Sequence, residues 1–176
     1  MKNAFLTLAI LSLLSAAPAT ADTINFSPLT PGDLGPGAVT VDGVTFDGTQ
    51  NLFNTSEFHF TASGGSICAF DPVAFSCAND MTVKFDGKVK RLSLATAGYH
   101  DGDSVTISVY RRGRDLGSVT ITADQPINLH SFGRVTKLVF DDSSSGNGYT
   151  YGLFKFTRLG TVSKQHDGKR AAAKSK

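Results

Sequence analysis

From residue 23 to residue 157 the chain repeats one pattern: apolar and polar side chains alternate in short runs broken by Gly, Asp, Asn and Ser. Successive side chains of a β-strand point to opposite faces, so a period of two gives a strand with one apolar and one polar face. Residues 104–110 are the clearest case, with Val105, Ile107 and Val109 on one face and Thr106 and Ser108 on the other. Residues 118–122 repeat it with Val119 and Ile121. No stretch after residue 21 carries apolar residues at i, i+3, i+4 and i+7 over three turns without an intervening Gly or Pro, which argues against helices as the main element. Further strands are expected at 23–27, 38–41, 44–47, 57–62, 80–85, 89–96, 127–130, 135–140 and 150–157. Residues 111–117 read as a hairpin link, Asp42-Gly43 and Asp86-Gly87 as hairpin turns, and 31–37 and 141–148 as loops. Roughly ten short strands at this spacing predict an all-β fold, a two-sheet antiparallel β-sandwich or jelly roll.

The first 21 residues have a different character. Lys2 precedes an apolar stretch of 11 residues, 4–14, then Pro18 and the small-x-small triplet Ala19-Thr20-Ala21. These are the parts of a cleavable signal peptide, with Asp22 as the expected mature N-terminus. The stretch is shorter than the roughly 20 apolar residues of a membrane span, and no Cys follows it for lipid attachment. The expected organisation is a signal peptide at 1–21, one β-sandwich domain at 22–159 and a disordered basic tail at 160–176, in a secreted or periplasmic protein. Cys68 and Cys77, the only cysteines, are expected to form a disulfide in an oxidising compartment. The competing reading, a metal pair, needs two further soft ligands, and the local sequence has none.

Charge is divided unevenly. Residues 22–159 hold 11 Lys/Arg against 14 Asp/Glu, whereas residues 160–176 hold five basic residues against Asp167 alone. Neutralising phosphates takes a basic face on the fold itself, so nucleic acid is not an expected partner of the domain. The tail is suited to acidic surfaces.

Catalytic constellations are missing. The four histidines, His59, His100, His130 and His166, are isolated, and no H-x-H pair places two imidazoles on one strand face. Glu57 is the only glutamate, so a paired-carboxylate mechanism would have to rely on Asp. There is no G-x-S-x-G elbow; Gly64-Gly65-Ser66 reads as a turn. No cofactor is expected. Calcium is the one ion with candidate ligands, in the acidic turn Asp101-Gly102-Asp103 and in Asp141-Asp142. The EF-hand spacing is not met, and Asp capping its own turn is the stronger reading.

Ligand binding has more support. Sugar rings stack on aromatic faces while polar side chains hold their hydroxyls. The chain has no Trp, and most of its 13 phenylalanines are expected in the core, Phe154 and Phe156 among them because they alternate with Lys155 and Thr157. The candidate ligand-binding residues are Tyr99, Asp101, Asp103, Tyr149 and Tyr151, with Tyr149 and Tyr151 expected at the surface beside a Gly-rich loop.

Residues 102–110 and 116–122 together resemble a strand pair from a group of secreted bacterial β-sandwich proteins, many of which carry a PEP-CTERM sorting tail. Residues 138–143 with 154–156 resemble the last two strands of that domain, and 23–26 followed by 43–46 are similar to its opening. The resemblance covers most of residues 23–157. It implies a jelly-roll, galactose-binding-like domain that is extracellular, non-catalytic and binds glycans or matrix polymers. In related jelly rolls, acidic residues near the first and last strands hold a structural calcium. Here Asn25, Ser27 and residues 151–153 stand in those places, and the basic tail stands in place of the sorting tail.

The expected function is therefore a secreted non-catalytic binding module for carbohydrate or another extracellular polymer. The alternative is a structural or interaction protein of the cell envelope or extracellular matrix, and an Asp-dependent hydrolase ranks third.

Overall fold

A computed structural model describes residues 21–55, 65–98, 100, 102–144 and 148–159. Most of the signal segment, the expected strand 57–62 with His59, the site candidates Tyr99 and Asp101, and the basic tail lie outside the described residues.

Twelve strands are present among the described residues: β1 (Ala21–Thr23), β2 (Gly32–Pro36), β3 (Val39–Val41), β4 (Val44–Gly48), β5 (Asn51–Thr55), β6 (Ser66–Phe70), β7 (Met81–Ala97), β8 (Val105–Arg111), β9 (Arg114–Ile121), β10 (Pro126–Asn128), β11 (Val135–Asp142) and β12 (Thr150–Leu159). Every strand pairing is antiparallel. Hydrogen bonds join all twelve strands into one continuous sheet, which folds over into the two layers of the expected β-sandwich, and β7 belongs to both layers. Its first part pairs with β4 (Phe46↔Val83) and with β11 (Leu138↔Val83), within the order β3-β4-β7-β11-β8-β9. From Lys88 onward it pairs with β12 (Leu159↔Lys88, Thr150↔Ala97) and β10 (Ile127↔Leu94), within the layer β2-β5-β6-β12-β7-β10, to which β1 adds beside β12. Asp86-Gly87 is thus a bend inside one 17-residue strand, where the sequence predicts a hairpin turn between two. Gly87 takes φ 96° there, a region closed to most side chains.

The alternation that predicts strands also fills the core. Val105, Ile107 and Val109 of β8, Val44 and Phe46 of β4, and Met81 and Val83 of β7 are all buried. Phe26, Phe46 and Phe154 meet edge to face, with ring centroids 5.2–6.2 Å apart, and Phe85 meets Phe156 at 5.3 Å. Such pairs add to the apolar area they bury.

Two bulges shift the phase of the pattern. Arg91 has φ 53°, and Val89, Leu92 and Leu94 all face inward around it. Leu153 has φ 52°, and Tyr151 and Phe154, three residues apart, both face the core. A bulge inserts one residue into the alternation, so strict period-two counting across it puts a side chain on the wrong face. The β8–β9 link is tighter than the sequence predicts. Arg112-Gly113 closes it with φ 52° and 82°, the left-handed pair of a two-residue hairpin turn, and a bulge at Leu116 takes up the extra residue.

Phe46→Ala should cost about 3–5 kcal/mol, since it removes the ring shared by two edge-to-face contacts at a fully buried site. Urea denaturation of the two proteins measures the difference.

Candidate functional site

Three of the sequence candidates are described, and they meet inside the protein. Tyr149 and Tyr151 are each 0% exposed and Asp103 is 2% exposed. The Tyr149 hydroxyl donates to the Asp103 carbonyl at 3.5 Å, and the Tyr151 hydroxyl donates to Asp142 Oδ2 at 3.3 Å. The Tyr151 ring lies 4.4 Å from that of Phe140. The expectation that Tyr149 and Tyr151 offer surface rings is corrected: neither has a free face on which a ligand can stack. The cause is the bulge at Leu153, which turns Tyr151, and Tyr149 in phase with it, toward the core. The Asp103 carboxylate accepts the His100 N–H at 3.0 Å and Asp142 Oδ1 accepts the Ser144 N–H at 3.0 Å, the turn-capping role expected of them. Among the described residues no group of three or more His, Cys, Asp or Glu converges on a metal site.

Burial holds the Asp142 carboxyl above the usual carboxylate range, against the pull of hydrogen bonds from Ser144, Tyr149 and Tyr151. Burial also pushes the Tyr151 phenol well up, and the neighbouring Asp142 charge adds to it.

An open cleft lies next to this buried network, on the outer face of the sheet that carries β5, β6 and β12. β5 and β6 pair Phe53 with Cys68, Asn51 with Phe70, and Thr55 with Ser66, so these six side chains share that outer face. The cleft, about 250 Å³ in volume, is walled by Phe53, Phe70 and Phe75 and edged by Thr55, Ser76, Thr150 and His100. Phe53 and Phe70 lie 4.8 Å apart, and Phe75 meets Phe70 nearly at right angles at 5.3 Å. Phe75 is 76% exposed and Val73 is 93% exposed. These two, on the loop after β6, are the exposed large hydrophobic residues among those described.

The loop is held from several sides. Cys68 and Cys77 form a disulfide with Cα atoms 5.5 Å apart, and the bond sits on the outer sheet face. The backbones of Asp71 and Ser76 exchange hydrogen bonds at 2.8 and 3.3 Å. Asp71 Oδ1 accepts the N–H groups of Val73 at 2.7 Å and Ala74 at 3.0 Å, and these bonds lower its pKa. Phe75 is held at φ 54°, a left-handed conformation that costs a bulky residue on the order of 1 kcal/mol. Behind the loop, Cys77 forms a bridge with Gly148. A Cβ at position 148 would stand 2.5 Å from the Cys77 carbonyl carbon, so only glycine allows the two segments to approach this closely.

Sequence reasoning reached this end of the sandwich, since His100 and Thr150 flank the residues it named, but missed the aromatic wall. It places most of the phenylalanines in the core and expects no strand at β5 or β6. The usable signal was Phe75 itself, an aromatic between Ala74 and Ser76 inside a ten-residue span closed by two cysteines.

No family model matches the chain, and no curated protein matches it; the likeness to PEP-CTERM-type proteins gains no support from either. Among solved structures the chain is similar to a variant of a family 29 carbohydrate binding module, with 13% identity over 80% of this chain and 93% of that one, at a TM-score of 0.38. That likeness is too loose to bear on the site.

Two outcomes follow. Replacing Cys68 and Cys77 with Ala should cost about 2.5–3 kcal/mol, the chain-entropy value for a loop of about ten residues, measured by denaturation with and without reductant. Asp142 binds its proton more tightly folded than unfolded. Its contribution to stability is therefore full below the ordinary carboxylate pKa and is lost as pH rises through the raised folded value. In Asp142→Asn the fall in stability across that window should flatten, as a pH series of thermal melts would show.

Proposed function

We propose that the protein is an exported, non-catalytic binding module for carbohydrate or another extracellular polymer, and that the aromatic cleft between β5, β6 and the 71–76 loop is where the polymer lies. The observation that carries this reading is Phe75, a large aromatic side chain three-quarters exposed on a loop fixed by a disulfide, a capping carboxylate and a left-handed backbone. A fold gains nothing in stability from an exposed ring on a strained residue, and strain of this kind collects where a surface is used. Holding the loop before a ligand arrives lowers the entropy lost on binding.

The chemistry of the cleft suits a neutral sugar. Phe53, Phe70 and Phe75 offer faces and edges to the C–H surface of a pyranose ring, and Ser76, Thr150 and His100 stand at the rim where hydroxyls would emerge. Among the described residues no Asp or Glu lines it, whereas glycoside hydrolysis uses a carboxylate pair. Among the described residues no helix is long and apolar enough to cross a membrane. The disulfide and the signal-like first 21 residues support export.

Phe75→Ala should weaken binding to neutral polysaccharides by about ten-fold or more, the usual effect of losing an exposed aromatic anchor, with the melting temperature unchanged. Affinity electrophoresis against a panel of neutral polysaccharides, run beside thermal melts, measures both. Failure of the wild-type chain to bind any of them would reject the reading.

A further inference from the structure

A second cleft, about 500 Å³ in volume, lies at the other end of β12 from the aromatic one. It opens where β7 bends from one layer into the other, and its walls come from both: Phe85 and Thr136 from one, Lys88 and Leu159 from the second. Arg112, from the tip of the β8–β9 hairpin, and Arg134, just before β11, complete it. Three cations therefore line one cleft, and among the described residues no Asp or Glu lines it. Among the described residues none of the three takes part in an ion pair.

The fold sets the backbone positions of Lys88 and Arg112. Lys88 lies directly opposite Leu159 in the β7–β12 ladder and is half-buried. Thr136 Oγ1 accepts the Arg112 N–H at 2.9 Å and lies 3.4 Å from the Tyr110 carbonyl, to which it donates. That link ties the hairpin tip to β11 two residues from Arg134. Arg112 itself sits at φ 52° in the two-residue turn, so its backbone has little freedom to swing away. The buried ring of Phe85 forms an apolar wall, backed by Phe156 at 5.3 Å.

We propose that this cleft binds an acidic sugar residue, a uronate or a sulfated unit of an extracellular polysaccharide, with Lys88, Arg112 and Arg134 on its oxyanion and Phe85 and Leu159 against its ring. Guanidinium groups meet carboxylate and sulfate oxygens with paired, charge-assisted hydrogen bonds. A local cleft on a domain that is net acidic, with 14 Asp/Glu against 11 Lys/Arg, repels an extended polyanion such as duplex nucleic acid but admits one anionic group on a sugar chain. The sequence after Leu159 adds five basic residues against Asp167, so the tail's own contribution to anion binding has to be tested separately. The site is independent of the aromatic cleft.

The test uses the full-length mature chain and titrates it with polygalacturonate, dextran sulfate, neutral dextran, polyphosphate and duplex DNA. An Arg112→Gln/Arg134→Gln double variant is compared with a variant whose five tail cations are changed to Gln. Both sets of substitutions lie on exposed or terminal residues, and equal melting temperatures verify folding. The expected result is binding of polygalacturonate or dextran sulfate that weakens as salt rises from about 50 to about 200 mM. The double variant should lose about ten-fold or more in affinity, while the tail variant keeps most of the affinity and Phe75→Ala changes nothing. Absence of acidic-polysaccharide binding, an unaffected double variant, loss of binding on tail neutralisation alone, or equal binding of polyphosphate and DNA would each overturn it.

Discussion

β7 supplies backbone hydrogen bonds to both layers at once, taking β4 and β11 as neighbours in its first part and β10 and β12 in its second. Each buried N–H or C=O left unpaired costs about 1–3 kcal/mol, so neither layer is complete without this strand. Gly87, at the bend that makes the crossing possible, is itself part of the lining of the cationic cleft. At its far end β7 delivers Gly98 and His100 to the aromatic cleft. One strand thus contributes to the positioning of both clefts.

The two clefts differ in how they are built. The aromatic one rests on cross-strand neighbours of regular strands and gains its shape from a loop that is covalently and electrostatically fixed. Its rings present polarisable faces with hydroxyls at the edge, and among the described residues it carries no Asp, Glu, Lys or Arg. The cationic one is a consequence of topology, lined by side chains that converge from sequence positions 85 to 159. Its selectivity would come from fixed charge in a partly apolar setting, where Coulomb attraction is less screened than on an open surface.

Much of the fold was legible because period-two alternation is a local property. Val105, Ile107 and Val109, or Phe154 and Phe156, face the core as their own neighbours imply. The unread parts depend on non-local geometry. β2 contains Gly32, Gly35 and Pro36 and reads as a loop; it becomes a strand only because β5 lies beside it. β6 (SICAF) shows no alternation, its outer face being covered by the loop that follows, so the pattern that identifies a half-exposed strand is missing. Without β5 and β6 nothing in the local sequence gives Phe53 and Phe70 a shared outer face. Tyr151 was misplaced for a different reason: one bulge residue, Leu153, reverses the parity of everything before it relative to Phe154. The disulfide, by contrast, needed only the two cysteines and their spacing.

The strands at the margins of the two layers share a property with a wider consequence. β3 and β10 are three residues long, β10 begins with Pro126, β2 carries two glycines and a proline, and β9 is bulged at Leu116 with charged residues at its start. Short, bulged, charged or proline-bearing margins are poor templates for another chain's backbone. Among the described strands, these margins disfavour edge-to-edge aggregation at high local concentration, and by the same physics they disfavour partners that dock by adding a strand.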